Sequence, residues 1–338
     1  MKKNVRRALV AGALIAAPAL INNAIFSRAK ALGNTLGGEG RFWPWREGDV
    51  FYAHAGSGEH PILFLHGLYA GASIYEWRKN FGALAEHYDV TALDWLGFGL
   101  SDKPKIRYSA ELYIELLQAF LSEVIARPCT IVASSLACAY AIEAAAALPE
   151  LVSGLILVCP TGYHELTSSG MDAGQEVKYA ALTAPLVGTS LYNAITSRAS
   201  LRAYLQSQVY FDPSYVTDEM IDHYSTATHQ YGSQYAPLSF IAGELGHTVS
   251  DSFPKLTQSI IRIVWGRESV QTPLAQAEPF LSANAKAELT VIDKAGLVPH
   301  DEQAHAFNRL VMETIPTAHT TTEAKPRSRK PRAKKTEE

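Results

Sequence analysis

Six short apolar runs, each followed by a longer stretch or a break, constrain this 338-residue chain more than any other feature. They are Pro61 to His66, Val90 to Trp95, Thr130 to Ser134, Leu155 to Cys159, Ile260 to Trp265 and Leu289 to Ile292. Helical patterns fall at Tyr75 to Tyr88, Ala110 to Ala126, Ser135 to Leu148, Leu274 to Ala283 and Glu302 to Ile315. Short apolar strands alternating with such helices predict an α/β fold, a mostly parallel sheet with helices on both faces. The rhythm breaks once, over 161–256, for longer than a plain connection allows. This insertion leaves the carboxyl edge of the sheet, where α/β folds bind ligands, so it is expected to form a helical cap. Its tyrosines (Tyr179, Tyr192, Tyr204, Tyr210, Tyr215, Tyr224, Tyr231 and Tyr235) either pack the cap or line an amphipathic ligand site.

The cap divides the core into 32–160 and 257–316. Ahead of it, Lys2, Lys3, Arg6 and Arg7 precede the apolar stretch Ala8 to Ile21, and Ala29-Lys30-Ala31 has a small-x-small pattern. Residues 1–31 therefore read as a signal peptide or membrane anchor, and the expected location is membrane-anchored or exported. Residues 317–338, rich in Thr, Pro, Lys and Arg, read as a disordered basic tail. The chain carries −3 overall. With +4 at each end, about −11 falls on the body, which argues against nucleic-acid binding. Cys129, Cys138 and Cys159 are too few for a disulfide framework and lack zinc-site spacing. No metal, P-loop or dinucleotide motif is present, and no cofactor is expected.

The chemistry concentrates where Ala133-Ser134-Ser135-Leu136-Ala137 joins a strand to a helix. A nucleophile on such a sharp turn needs small residues two positions to either side, which Ala133 and Ala137 supply for Ser135.

With these landmarks the chain resembles the α/β-hydrolase superfamily from about Asp49 to Ile315. His66-Gly67-Leu68-Tyr69 resembles the oxyanion loop, which implies that the backbone N–H groups of Leu68 and Leu136 form the oxyanion hole, a role that needs no particular side chain. Asp94-Trp95-Leu96-Gly97-Phe98-Gly99-Leu100-Ser101 resembles the Asp-x-x-Gly-x-Gly-x-Ser turn of epoxide-hydrolase-like and meta-cleavage-product-hydrolase-like members. Trp265 to Pro273 resembles the loop that carries the triad acid, and Ala295 to His300 the loop that carries the base. At the two positions where the resemblance implies aspartate and histidine, this chain has Ser269 and Leu297. Glu268 is adjacent to the first. His300 matches the second, structural histidine of the family pattern and is the best alternative base, with Glu268 or Glu302 to orient it. His164 and His247 in the cap read as packing or surface groups.

A serine without a positioned base is a poor nucleophile, and loss of a triad serine or histidine costs about 10⁶-fold in kcat. The expectation is a weakly active or non-catalytic binder of a small apolar or ester-like molecule. The alternatives are a carboxylic-ester hydrolase using Ser135 with His300, and an interaction protein with an empty pocket.

Overall fold

The computed structural model describes residues 17–163, 173–184 and 186–315. Eight strands form one sheet: β1 (Glu39–Trp45), β2 (Gly48–Ala55), β3 (Pro61–Leu65), β4 (Asp89–Leu93), β5 (Cys129–Ser134), β6 (Val152–Val158), β7 (Ile260–Gly266) and β8 (Ala287–Ile292). Their spatial order is β1-β2-β4-β3-β5-β6-β7-β8. β1 pairs antiparallel with β2 and β2 with β4, while every later pair is parallel. The central strands β3 and β5 are buried at every position, as continuous apolar runs covered on both faces require.

The helices are α1 (17–27), α2 (Phe81–Ala85), α3 (Ala110–Phe120), α4 (Ala137–Ala147), α5 (Ala173–Thr183), α6 (Val187–Ile195), α7 (Arg198–Tyr204), α8 (Asp218–Thr228), α9 (Tyr235–Ala242), α10 (Glu278–Ala283), α11 (Pro299–Glu302) and α12 (Ala304–Thr314). Helices α5 to α9 fill the interruption between β6 and β7. The antiparallel pair β1–β2 escaped the sequence reading, because the charged and glycine-bearing run Glu39 to Asp49 has no clean alternation. The expected helix Tyr75 to Tyr88 is instead a 3₁₀ turn, Ile74–Trp77, followed by the short α2. Arg78 and Lys79, between them, are drawn to the carboxylate of Asp301.

Asp94, just beyond β4, explains why the next loop is so constrained. Its buried carboxylate accepts hydrogen bonds from Ile74 N at 2.7 Å and Leu100 N at 2.7 Å. Ser101 Oγ donates to its backbone carbonyl at 2.6 Å. Gly99 passes so close, with φ +48°, that a Cβ there would lie 2.1 Å from the Asp94 carboxyl carbon. Only glycine fits this turn.

No helix among the described residues is long and apolar enough to cross a membrane. Most of the expected leader and the whole basic tail lie outside the described residues. All three cysteines are free and buried.

Replacing Asp94 with alanine would strand the buried Ile74 N–H and the partly buried Leu100 N–H. Each orphaned donor costs about 1–3 kcal/mol. Urea unfolding of Asp94→Ala is expected to show a loss of about 2–4 kcal/mol, and an unchanged midpoint would refute the clamp.

Candidate active site

β5 ends at Ser134, and the chain reverses into α4 through Ser135, whose φ is +54°. A non-glycine residue in this left-handed region carries strain of about 1–3 kcal/mol and persists only where the surroundings hold it. Here Ser135 N donates to Val158 O at 2.9 Å, tying the turn to β6, and fully buried Ala133 and Ala137 allow the backbones to approach. Ser135 itself is partly exposed. Among the described residues its hydroxyl has no hydrogen-bond partner.

Leu68 and Leu136 are both nearly buried, at 2% and 3% exposure. Neither backbone N–H donates to an acceptor among the described residues. Buried amides are almost always paired, so two unpaired donors, one on each loop beside the elbow, suit a ligand oxygen. The neighbouring amide, Gly67 N, is already used and donates to Glu76 Oε2 at 3.0 Å.

Glu76 is the residue that sequence reasoning missed. It is 3% exposed, and Tyr69 OH donates to Oε2 at 3.0 Å. Its other oxygen lies 3.3 Å from His300 Nε2. Burial raises its pKa, but the His300 imidazole, Ser134 and His66 outweigh this and hold Glu76 below the ordinary carboxylate value. Tyr69 OH also pairs with Tyr224 OH of the cap at 3.0 Å, so one carboxylate links the oxyanion loop to the cap. Nothing in the pattern Ile74-Tyr75-Glu76-Trp77 separates this acid from a solvated one.

His300 is fully buried, its ring 4.3 Å from the Trp77 ring and 5.8 Å from that of Phe307. Neither ring nitrogen makes a hydrogen bond, so the structure places His300 with Glu76 and does not join it to Ser135. Leu297 is buried, and its N–H donates to Val209 O of the cap at 2.8 Å. Ser269 Oγ shares a hydrogen bond with Thr272 Oγ1 at 2.9 Å. Glu268 accepts from Ala295 N at 3.0 Å, and Glu302 accepts from Gly296 N at 2.6 Å and Phe211 N at 2.9 Å. Both flanking acids therefore brace loop backbones rather than orient an imidazole.

The base loop and cap meet closely at Gly296, where a Cβ would lie 2.4 Å from Val209 O. Of the cap histidines, His247 Nε2 pairs with Glu143 Oε1 at 3.0 Å on α4, while His164 lies outside the described residues. No group of three or more metal-ligating side chains occurs among the described residues.

The alpha/beta hydrolase family profile matches residues 62–310, which include the elbow, the cap and the base loop. An uncharacterised protein of Mycobacterium tuberculosis is 29% identical over 260 residues, covering 74% of this chain and 73% of its own. A meta-cleavage product hydrolase carrying an alanine-to-valine substitution is 25% identical, with a TM-score of 0.66, over 81% of this chain and 97% of its own. A bacterial membrane phospholipase A is 19% identical, with a TM-score of 0.65, over 93% and 99% of the two chains, and shares the fold.

Two outcomes test this geometry. Ser135→Gly should relieve the left-handed strain and raise stability by about 1 kcal/mol in chemical denaturation; a loss would mean the elbow is unstrained. Glu76, depressed in the folded state, contributes stability above its unfolded value of about 4.5, and this is lost as pH falls through the lower folded value. Wild-type stability should therefore drop on acidification below about pH 4.5. The drop should be smaller in Glu76→Gln, and equal slopes would contradict the assignment.

Proposed function

The chain belongs to the alpha/beta hydrolase family, and from that premise we propose that it binds a small apolar or ester-like carbonyl compound with little or no turnover. The ligand carbonyl oxygen accepts from Leu68 N and Leu136 N, and the apolar remainder lies under the tyrosine-bearing cap. One observation carries the reading: the Ser135 hydroxyl has no base partner among the described residues, while His300 is held against Trp77 and Glu76. A serine so placed sits at the carbonyl carbon but has nothing to take its proton. A general base must come within about 2.6–3.2 Å of the proton it removes. The oxyanion hole needs only backbone, so binding survives the loss of a base.

The second reading, a carboxylic-ester hydrolase, is favoured by one feature. His300 already has an acid partner in Glu76, so a shift of the loop toward Ser135 would complete a serine–histidine–acid relay.

Fluorophosphonate labelling and a panel of p-nitrophenyl esters separate the two. The binder reading expects no labelling above the Ser135→Ala background and ester binding without release of p-nitrophenol. Labelling and turnover abolished by both Ser135→Ala and His300→Ala would establish the hydrolase instead. Leu297→His with Ser269→Asp offers a converse test. Returning a base and its orienting acid to the positions implied by the family pattern should raise esterase activity at least tenfold, within the roughly 10⁶-fold span attributed to a triad. No gain in a folded, ester-binding variant would show that the missing base is not what limits turnover.

A further inference from the structure

The large apolar side chains left exposed are not scattered. Among the described residues only Phe42, Val270 and the cap's Phe211 stand apart from the cap helices and α1. The rest lie on α1, α5, α6 and α9, or, like Tyr231, stack on a residue of α1. Val187, Leu191 and Ile195 recur at four-residue spacing on α6 and are 65%, 42% and 40% exposed, forming one stripe along the helix. Leu20 and Ile21 of α1 are 69% and 59% exposed. Monomeric soluble proteins rarely leave so many large apolar groups together in water.

The two helices are joined. Asn22 Nδ2 donates to Ser190 Oγ at 3.1 Å, and Asn193 Nδ2 donates to Asn22 Oδ1 at 2.9 Å. Phe26, 7% exposed, packs with Tyr192 of α6 and Leu238 of α9. The inner face of α1 is therefore spent on the cap, and Leu20 and Ile21 stay exposed on a helix that is hydrogen-bonded to α6. We propose that this face of the cap lies on a lipid bilayer, with Val187, Leu191, Ile195, Leu20 and Ile21 in the headgroup and acyl boundary.

The occupant is argued from the chain that leads into the patch. Residues 8–16, Ala-Leu-Val-Ala-Gly-Ala-Leu-Ile-Ala, are apolar throughout and immediately precede α1 in the sequence, behind Lys2, Lys3, Arg6 and Arg7. An apolar segment behind a basic cluster suits an anionic membrane surface. Exposed Arg28 and Lys30 follow α1 and line a cleft with Arg198, which is ion-paired with Asp222. A second copy of the chain would match the apolar stripe but gives no role to Arg28 and Lys30. In this orientation the cap faces the bilayer. The docking stands whether or not Ser135 turns its ligand over.

The buried native cysteines allow selective labelling of an introduced thiol. An environment-sensitive fluorophore is placed in the full chain at Leu191→Cys, at Ile195→Cys and, as a control, at exposed Val270→Cys. Vesicles of phosphatidylcholine and phosphatidylglycerol are then added, with and without a nitroxide-labelled lipid. The expected result is a blue shift and nitroxide quenching at 191 and 195 but not at 270, weakened several-fold in pure phosphatidylcholine. Three results would overturn the proposal. One is failure to float with the vesicles, and another is flotation with unchanged emission at 191 and 195. The third is a shift that needs no lipid and follows protein concentration, which would assign the face to a second copy.

Discussion

A single carboxylate sealed from water sets much of this architecture. Isolated charges are not tolerated in a low-dielectric interior, so each oxygen of Glu76 must be matched. One oxygen takes the Gly67 N–H and the Tyr69 hydroxyl, and the other faces the His300 imidazole. These contacts hold the turn before Leu68, fix the tyrosine that reaches Tyr224 of the cap, and keep His300 against Trp77. Oxyanion loop, base loop and cap thus converge on one side chain, and breaking one partner leaves the others with an uncompensated charge.

Acids elsewhere repeat this logic at the seam between cap and core. Asp301 draws Arg78 at 2.7 Å, Lys79 at 2.9 Å and the Tyr210 hydroxyl, so residues from two other segments share its charge. Glu302 accepts from Gly296 N and from Phe211 and Asp212 N in the cap. Leu297 spends its N–H on Val209 O. The loop that bears Leu297 is therefore held by cap backbone on one side and an acid on the other, without help from the Leu297 side chain. A loop held this way keeps its path whatever residue stands at position 297. The elbow geometry and the unpaired amides of Leu68 and Leu136 likewise depend on backbone, which is how a binding site of this shape outlasts a working base under the proposed function.

The sheet was legible because its information is local. β3 and β5 are unbroken apolar runs with small residues where strand meets helix, and Ser135 was placed from Ala133 and Ala137 alone. The irregular elements were not. Ile74–Trp77 has helical composition, but Asp94 captures the Ile74 N–H from 20 residues away, and Asp301 claims Arg78 and Lys79 from the far end of the chain. β1 has too little alternation to announce a strand, and pairing with β2 defines it. Several cap tyrosines bridge to other elements: Tyr204 donates to Gln271, Tyr210 to Asp301, and Tyr224 pairs with Tyr69.

The sequence by itself determined the α/β order, the position of Ser135, and the absence of aspartate and histidine at 269 and 297, because these depend on residue type and spacing along the chain. Only the tertiary structure decided what the remaining polar groups do. It placed His300 in a buried partnership with Glu76, put Glu268 and Glu302 to work on loop amides, and joined α1 to α6 through Asn22. Such assignments depend on which charges share a dry interior. That is fixed by folding across more than 200 residues, as between Glu76 and His300, and no local pattern encodes it.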